Sequence, residues 1–213
     1  MKKEKIKNSA PENMLPKEPE MRKQKLLLHS CCAPCSSSVI SVLSRSFSIT
    51  VFYFNPNIYP PREYEKRRAE QQRFLTLISH DNPIGFIDGD YDTVLFENYI
   101  RGLENCPEGG ERCQRCFRLR FSATAAKARE TGFSLIASTL SVSPKKNSVD
   151  INRIGAECAE ESGVEWLFGD FKKKGGFEKS VALSKHYSLY RQNYCGCRFS
   201  KSTILDSRRA TPG

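Results

Sequence analysis

Residues 25–43 read KLLLHSCCAPCSSSVISVL, and this stretch decides the fold class. Lys25 to Ser30 is a short apolar run with the length of a buried strand. It passes straight into Cys31-Cys32-Ala33-Pro34-Cys35 and then Ser36 to Leu43, where serines and an early proline suit the N-terminus of a helix. A strand running directly into a helix is half of a βαβ unit, so the neighbouring segments decide whether the pattern repeats. It does. Ser48 to Phe54, β-branched and aromatic, is a second strand stopped by the turn Asn55-Pro56-Asn57, and Tyr64 to Ile78 is a charged amphipathic helix.

Further along, strands are expected at Ile84 to Ile87, Phe133 to Thr139 and Glu165 to Phe168. Helices are expected over Asp92 to Leu103, Glu111 to Glu130, Val149 to Glu161 and Phe177 to Tyr187, with a polar loop from Ser141 to Asn147. Alternation of this kind predicts an α/β domain with an open parallel sheet of about five strands flanked by helices. In such sheets ligands bind beyond the carboxyl ends of the strands. The cysteines after the first strand, the Asn-Pro-Asn turn after the second and the Ser-Pro-Lys loop after the fourth all fall there, so they are expected to converge.

Eight of the nine cysteines form three groups: Cys31, Cys32 and Cys35; Cys106, Cys113 and Cys116; Cys195 and Cys197. Cys158 stands alone between small residues of a helix and reads as a core hydrophobe. Cys32/Cys35 and Cys113/Cys116 have the Cys-x-x-Cys spacing that lets two thiolates meet one metal, near helix starts that favour the thiolate. Two such pairs alone would suit a structural zinc ion. The further thiols exceed what one zinc or one cubane cluster uses, and adjacent Cys31 and Cys32 project in different directions. Two neighbouring metal centres are therefore expected.

In 213 residues, 38% of them hydrophobic, one core can be buried. The reading is a disordered basic arm over residues 1–24, one domain over 25–200 and a tail over 201–213. No apolar run near the start is long enough for a signal core or a membrane span, so a cytoplasmic protein with no membrane partner is expected. A reducing cytoplasm keeps these cysteines free for metal or catalysis. The net charge of +10 suits a polyanionic partner, although solubility alone would also account for it.

Five strings in this order, LHSCCAPC (28–35), FYFNPNI (52–58), PEGG with CQRCF (107–117), SPKKN (143–147) and YRQNYCGC (190–197), resemble the cobalamin-independent epoxyqueuosine reductase family. The resemblance runs from about Lys25 to Ser200. It implies a HUP-like (PP-loop-like) domain holding one [4Fe–4S] cluster beside a second metal ion, iron, with no cobalamin. It also implies reduction of epoxyqueuosine to queuosine at the wobble position of tRNA, with electrons from a low-potential donor. The eight clustered cysteines match the family's metal-binding segments.

Other residues carry two readings each. Asn55, Asn57 and Tyr64 can hold a sugar or base edge, or simply form a turn. Ser143, Lys145 and Asn147 can bind phosphate, or form a solvated loop. Asp170 is a carboxylate ligand for the second metal or a helix cap. Tyr187, Tyr190, Arg191 and Tyr194 can stack and hold a flipped base, or pack around the metal site. His29 reads as a hydrogen-bonded core residue and His80 and His186 as surface residues. Two rival functions remain: a zinc-stapled RNA-binding module and a PP-loop-type ATP-dependent tRNA-modifying enzyme. The second lacks its glycines here, since Cys31-Cys32-Ala33-Pro34-Cys35-Ser36 occupies the turn where phosphate would approach the backbone.

Overall fold

Leu26, Leu27 and Leu28 have no exposed surface, because the strand that carries them, β1 (Gln24–His29), is covered on both faces and paired on both edges. The computed structural model describes residues 23–78 and 83–200. After β1 come α1 (Ala33–Leu43), β2 (Phe47–Tyr53), α2 (Pro61–Leu77), β3 (Gly85–Asp88), α3 (Thr93–Tyr99) and α4 (Glu111–Thr131). Then follow β4 (Leu135–Ser138), a 3-10 turn at Thr139–Val142, α5 (Ser148–Glu161), β5 (Glu165–Trp166) and α6 (Gly176–His186). The five strands are all parallel, in the order β3-β2-β1-β4-β5. This is the open sheet expected from the alternation.

Side chains alternate across β1, so the sheet has two cores. Leu27 meets Phe52 and Ile136 beneath Phe117, Phe121 and Ala125 of α4 and Ile151 and Ile154 of α5. Leu26 and Leu28 meet Ile49, Val51 and Leu135 beneath Val39, Ile40 and Leu43 of α1 and Phe74 of α2. Cys158 is fully buried in the first core, as expected of a small hydrophobe.

Element ends differ from expectation in ways that bear on function. α1 starts at Ala33, three residues early, because Pro34 is tolerated in a first turn whose N–H groups lack partners in any case. Cys32 becomes its N-cap and Cys35 lies inside the first turn. β4 ends at Ser138 and β5 is two residues long. α3 stops at Tyr99 after Asp92 caps it through the N–H groups of Val94 and Leu95. The arm and tail lie outside the described residues, apart from Lys23 and Gln24, and Gln24 is already in β1; His80 also lies outside. Among the described residues no helix is long and apolar enough to cross a membrane.

One close approach fixes α5 on the sheet. A Cβ at Gly155 would stand 2.4 Å from ring atoms of Trp166, and the ring cannot swing aside because its Nε1 donates to Asn152 Oδ1 at 3.0 Å. Alanine gains about 1 kcal/mol of helix propensity over glycine, whereas overpacking costs about 1–3 kcal/mol. Gly155→Ala is expected to lower stability, read as a lower denaturation midpoint in urea.

Candidate functional site

The polypeptide leaves β1 at the carboxyl edge of the sheet and delivers Cys31, Cys32 and Cys35 there, all buried or nearly so. Cys31 Sγ lies 3.9 Å from Cys32 Sγ, and Cys35 hydrogen-bonds to both. Those thiol contacts, with Arg67 nearby, hold Cys32 well below the usual thiol range, while Cys31 is pushed up by its hydrogen bond with Cys32 and Cys35 by those with Cys31 and Cys32. Gln192 Nε2 donates to Cys32 Sγ at 3.0 Å. Cys32 is thus the thiol of the trio whose thiolate is most favoured, at the N-terminus of α1.

A second group forms across the edge. Cys113 and Cys116 come from the first two turns of α4, and Cys195 and Cys197 from the irregular segment after α6. All four line a cavity of about 140 Å³, together with Asn57, Arg120, Lys145, Lys146 and Asn147. Burial pushes the thiol of Cys116 up to about 12 and raises those of Cys113 and Cys197. An adjoining cavity of about 220 Å³ is lined by Cys31, Cys35, Ser143, Lys145, Arg191 and Gln192 among others, and Cys195 lines both.

The Cys195–Cys197 segment is not in a helix or strand, so α2 holds it by side chains. Arg67, fully buried, donates to the carbonyls of Cys195 at 3.1 Å and Tyr194 at 3.4 Å and pairs with Glu63 at 2.8 Å. The Tyr59 N–H donates to the Gly196 carbonyl at 2.8 Å, and the Tyr194 hydroxyl donates to the Tyr59 carbonyl at 2.7 Å. Gly196 has φ 137°, and a Cβ there would sit 3.1 Å from Ile58 and 3.2 Å from Arg67. Glycine between the two cysteines is what lets both thiols face the cavity.

Two cations, Arg120 buried and Lys146 partly buried, stand near both thiol groups. Arg120 is 1% exposed, donates through Nε to the Cys116 carbonyl at 3.1 Å, and leaves Nη2 without a partner. Lys146 lines both cavities. Burial lowers the proton affinity of each, but the thiols of both groups outweigh it, so both groups are raised above their ordinary values. They offset negative charge that collects on the sulfurs. Neither was singled out from the sequence, and nor were Arg67, Arg112 and Gln192. One signal was available: Arg112, Cys116 and Arg120 recur at intervals of four along α4 and so share one face.

Of the residues expected at the site, the structure brings together Cys31, Cys32, Cys35, Cys113, Cys116, Cys195, Cys197, Asn57, Ser143, Lys145, Asn147 and Arg191. Asn57 is buried with Oδ1 unpartnered, and Asn147 also caps α5. Others lie elsewhere. Asn55 donates to the Ser30 carbonyl, Tyr64 stacks on Tyr91 at 3.9 Å inside a buried aromatic cluster, and the Tyr190 hydroxyl bonds Glu63. Cys106 lines neither cavity; its carbonyl is held by Arg112. Asp170 pairs with Lys172 at 3.2 Å and Lys173 at 3.6 Å and also lines neither. His29 is fully buried between Ser138 and the Phe54 carbonyl, and burial lowers its pKa to about 3, so it stays a neutral core residue.

Among the described residues, no three Cys, His, Asp or Glu side chains converge as the ligands of one ion do. The donor set still fits a thiolate-bound group in kind: seven thiols in two groups, with Arg120 and Lys146 near both. Ligands of a multi-iron cluster bind different irons, so they stand farther apart than those of a single ion.

Comparison with known proteins gives the family and the fold. A solved structure described as a predicted subunit of tRNA methyltransferase from Methanocaldococcus jannaschii shares the fold, at TM-score 0.50 and 13% identity over 88% of this chain and 90% of that one. The chain is 40% identical over 185 residues to Epoxyqueuosine reductase QueH of Streptococcus pyogenes, covering 86% of this chain and 72% of that protein. It is 40% identical to the protein of that name from Acinetobacter baylyi over 94% of this chain and 87% of the relative, and 35% identical to that from Thermotoga maritima over 82% and 89%. The family profile described as Epoxyqueuosine reductase QueH matches residues 26–203, a span that holds every thiol of both groups. With that match across both cavities and the strands that carry them, the chain belongs to the epoxyqueuosine reductase QueH family.

Proposed function

We propose that this protein removes the epoxide oxygen of epoxyqueuosine in tRNA, giving queuosine. The reaction takes up two electrons and two protons and releases the oxygen as water. The observation that carries this reading is the gathering of seven thiols from three distant parts of the chain, six of them lining two adjoining cavities and Cys32 against Cys31, in a member of this family. Cys113, Cys116, Cys195 and Cys197 would hold a [4Fe–4S] cluster, and thiols from the Cys31, Cys32 and Cys35 group would contribute to the shell of a second iron. When bound, these groups would supply electrons singly and an electrophilic site for oxygen. Cys106 and Asp170 line neither cavity and, unlike Cys32, are not hydrogen-bonded to a thiol that does, so they stand outside this ligand set.

The protein's own side chains have separate tasks. Lys145, Lys146 and Arg191 place positive charge at the second cavity, where a nucleotide phosphate would enter. Gln192 is held by Cys32 through its amide N–H, which leaves its Oε1 unpartnered for a donor on the base. Asn57 offers a similar buried acceptor in the first cavity.

The test is anaerobic: protein loaded with iron and sulfide, dithionite as the electron source, and tRNA carrying epoxyqueuosine. Nucleoside mass spectrometry should record loss of one oxygen atom, and the same sample should have broad visible absorbance that bleaches on reduction. A colourless zinc protein that binds tRNA without converting it would replace this reading with a zinc-stapled RNA-binding module. Conversion that required ATP would point to the PP-loop enzymes instead.

A further inference from the structure

Lys172, Lys173 and Lys174 form a turn that none of these tasks uses. It is tied to the cavity wall, because Lys172 donates from its backbone N–H to the Ser141 carbonyl at 3.2 Å and from Nζ to the Lys146 carbonyl at 3.1 Å. It runs directly into Phe177, in the first turn of α6, which lines the second cavity. The turn therefore lies at the rim, beside Lys145 and Arg191.

Its charges are poorly offset. Asp170 is shared by Lys172 and Lys173, while Lys145, Lys174 and Arg191 enter no ion pair among the described residues. Of the acidic residues, Glu108 lines both cavities and Asp150 the first. Lys173 has 76% of its side chain exposed. The backbone gives the sharper sign. Lys174 has φ 51° and is followed by Gly175 at 74°, so a lysine occupies a left-handed position that glycine would hold without strain. An exposed residue kept in a disfavoured conformation points to a task for its side chain.

We infer that the turn Lys172–Lys174, with Lys145 and Arg191, clamps the phosphate backbone of the RNA arm that presents its nucleotide to the second cavity. This rests on the proposed tRNA substrate, but not on the metal centres. Lysines on flexible stems suit phosphates, which give affinity without sequence information. The side chain of Lys174 then helps RNA binding at the expense of the fold, and the two effects can be measured separately.

The experiment is equilibrium binding of unmodified tRNA by the full chain across a series of KCl concentrations, with thermal unfolding of the same samples. Lys174→Gly and Lys173→Gln should each weaken binding at low salt severalfold and reduce the slope of log affinity against log salt by about 0.7–0.9, one phosphate contact each. Lys174→Gly should melt at or above the wild-type temperature, because glycine relieves the left-handed residue. Lys127→Gln, which removes a half-buried lysine paired with Glu130 on α4, should leave the slope unchanged. The inference is overturned if Lys174→Gly binds with the wild-type slope, if it melts lower, or if Lys127→Gln weakens binding equally. Since binding of unmodified tRNA is read without turnover, failure of the clamp and failure of the proposed reaction are distinguishable.

Discussion

Cys195→Ser is expected to remove both iron and activity, lowering conversion of epoxyqueuosine by more than about 100-fold, the upper end for residues that only support a ligand. Cys195 lines both cavities and contributes to the electrostatic environment of Cys113, Cys116, Arg120 and Lys146. Loss of its thiol therefore affects each group of the proposed ligand set. Iron per chain, measured beside nucleoside conversion, checks the prediction. Cys106→Ser and Cys158→Ala serve as the contrast, because neither thiol lines either of these two cavities or is hydrogen-bonded to a thiol that does, and both should retain wild-type iron. Iron loss in Cys106→Ser would enlarge the ligand set; full iron and conversion in Cys195→Ser would end the assignment of this thiol.

Arg67→Met should produce the largest loss of stability, about 3–5 kcal/mol, because it strands the Glu63 carboxylate, only 11% exposed, without its cation. The damage should extend to the site. Arg67 is the tie between α2 and the carbonyls of Tyr194 and Cys195, so the segment bearing two of the proposed ligands loses its anchor. Urea unfolding gives the first effect and iron retention the second. Arg67→Met combined with Glu63→Gln should regain part of the stability, since the buried charge is then gone, but should not regain iron. Equal recovery of both would mean that Arg67 acts on the site only through the stability of the fold.

Much of this protein was legible along the chain because its decisive features are local. Three consecutive buried leucines fix β1 as a central strand, the Pro34 and serine run fixes a helix after it, and repetition of that unit leaves few arrangements besides a parallel sheet. Clustering of cysteines at the carboxyl ends follows from the same topology. Cys158 as a core residue and His29 as a neutral, hydrogen-bonded one were also readable, each from the apolar element around it. Less secure were residues whose tasks depend on neighbours. Tyr64 follows β2 just as Asn57 does, yet it turns onto Tyr91 while Asn57 faces the thiols.

What the sequence by itself determined is thus the alternation of elements, the edge of the sheet where chemistry collects and the kind of donor found there. Hydrophobic period, turn residues and cysteine spacing are properties of short segments, and they act before the chain closes. Only the tertiary structure decided which thiols share a cavity, that Arg120 and Lys146 stand near both groups, and that Arg67 reaches 128 positions along the chain to hold Cys195. Those contacts join residues far apart in the chain, and a buried charge acquires its role only from what desolvates it and what answers it. Neither exists until the sheet has brought β1, α2, α4 and the Cys195–Cys197 segment to the same edge.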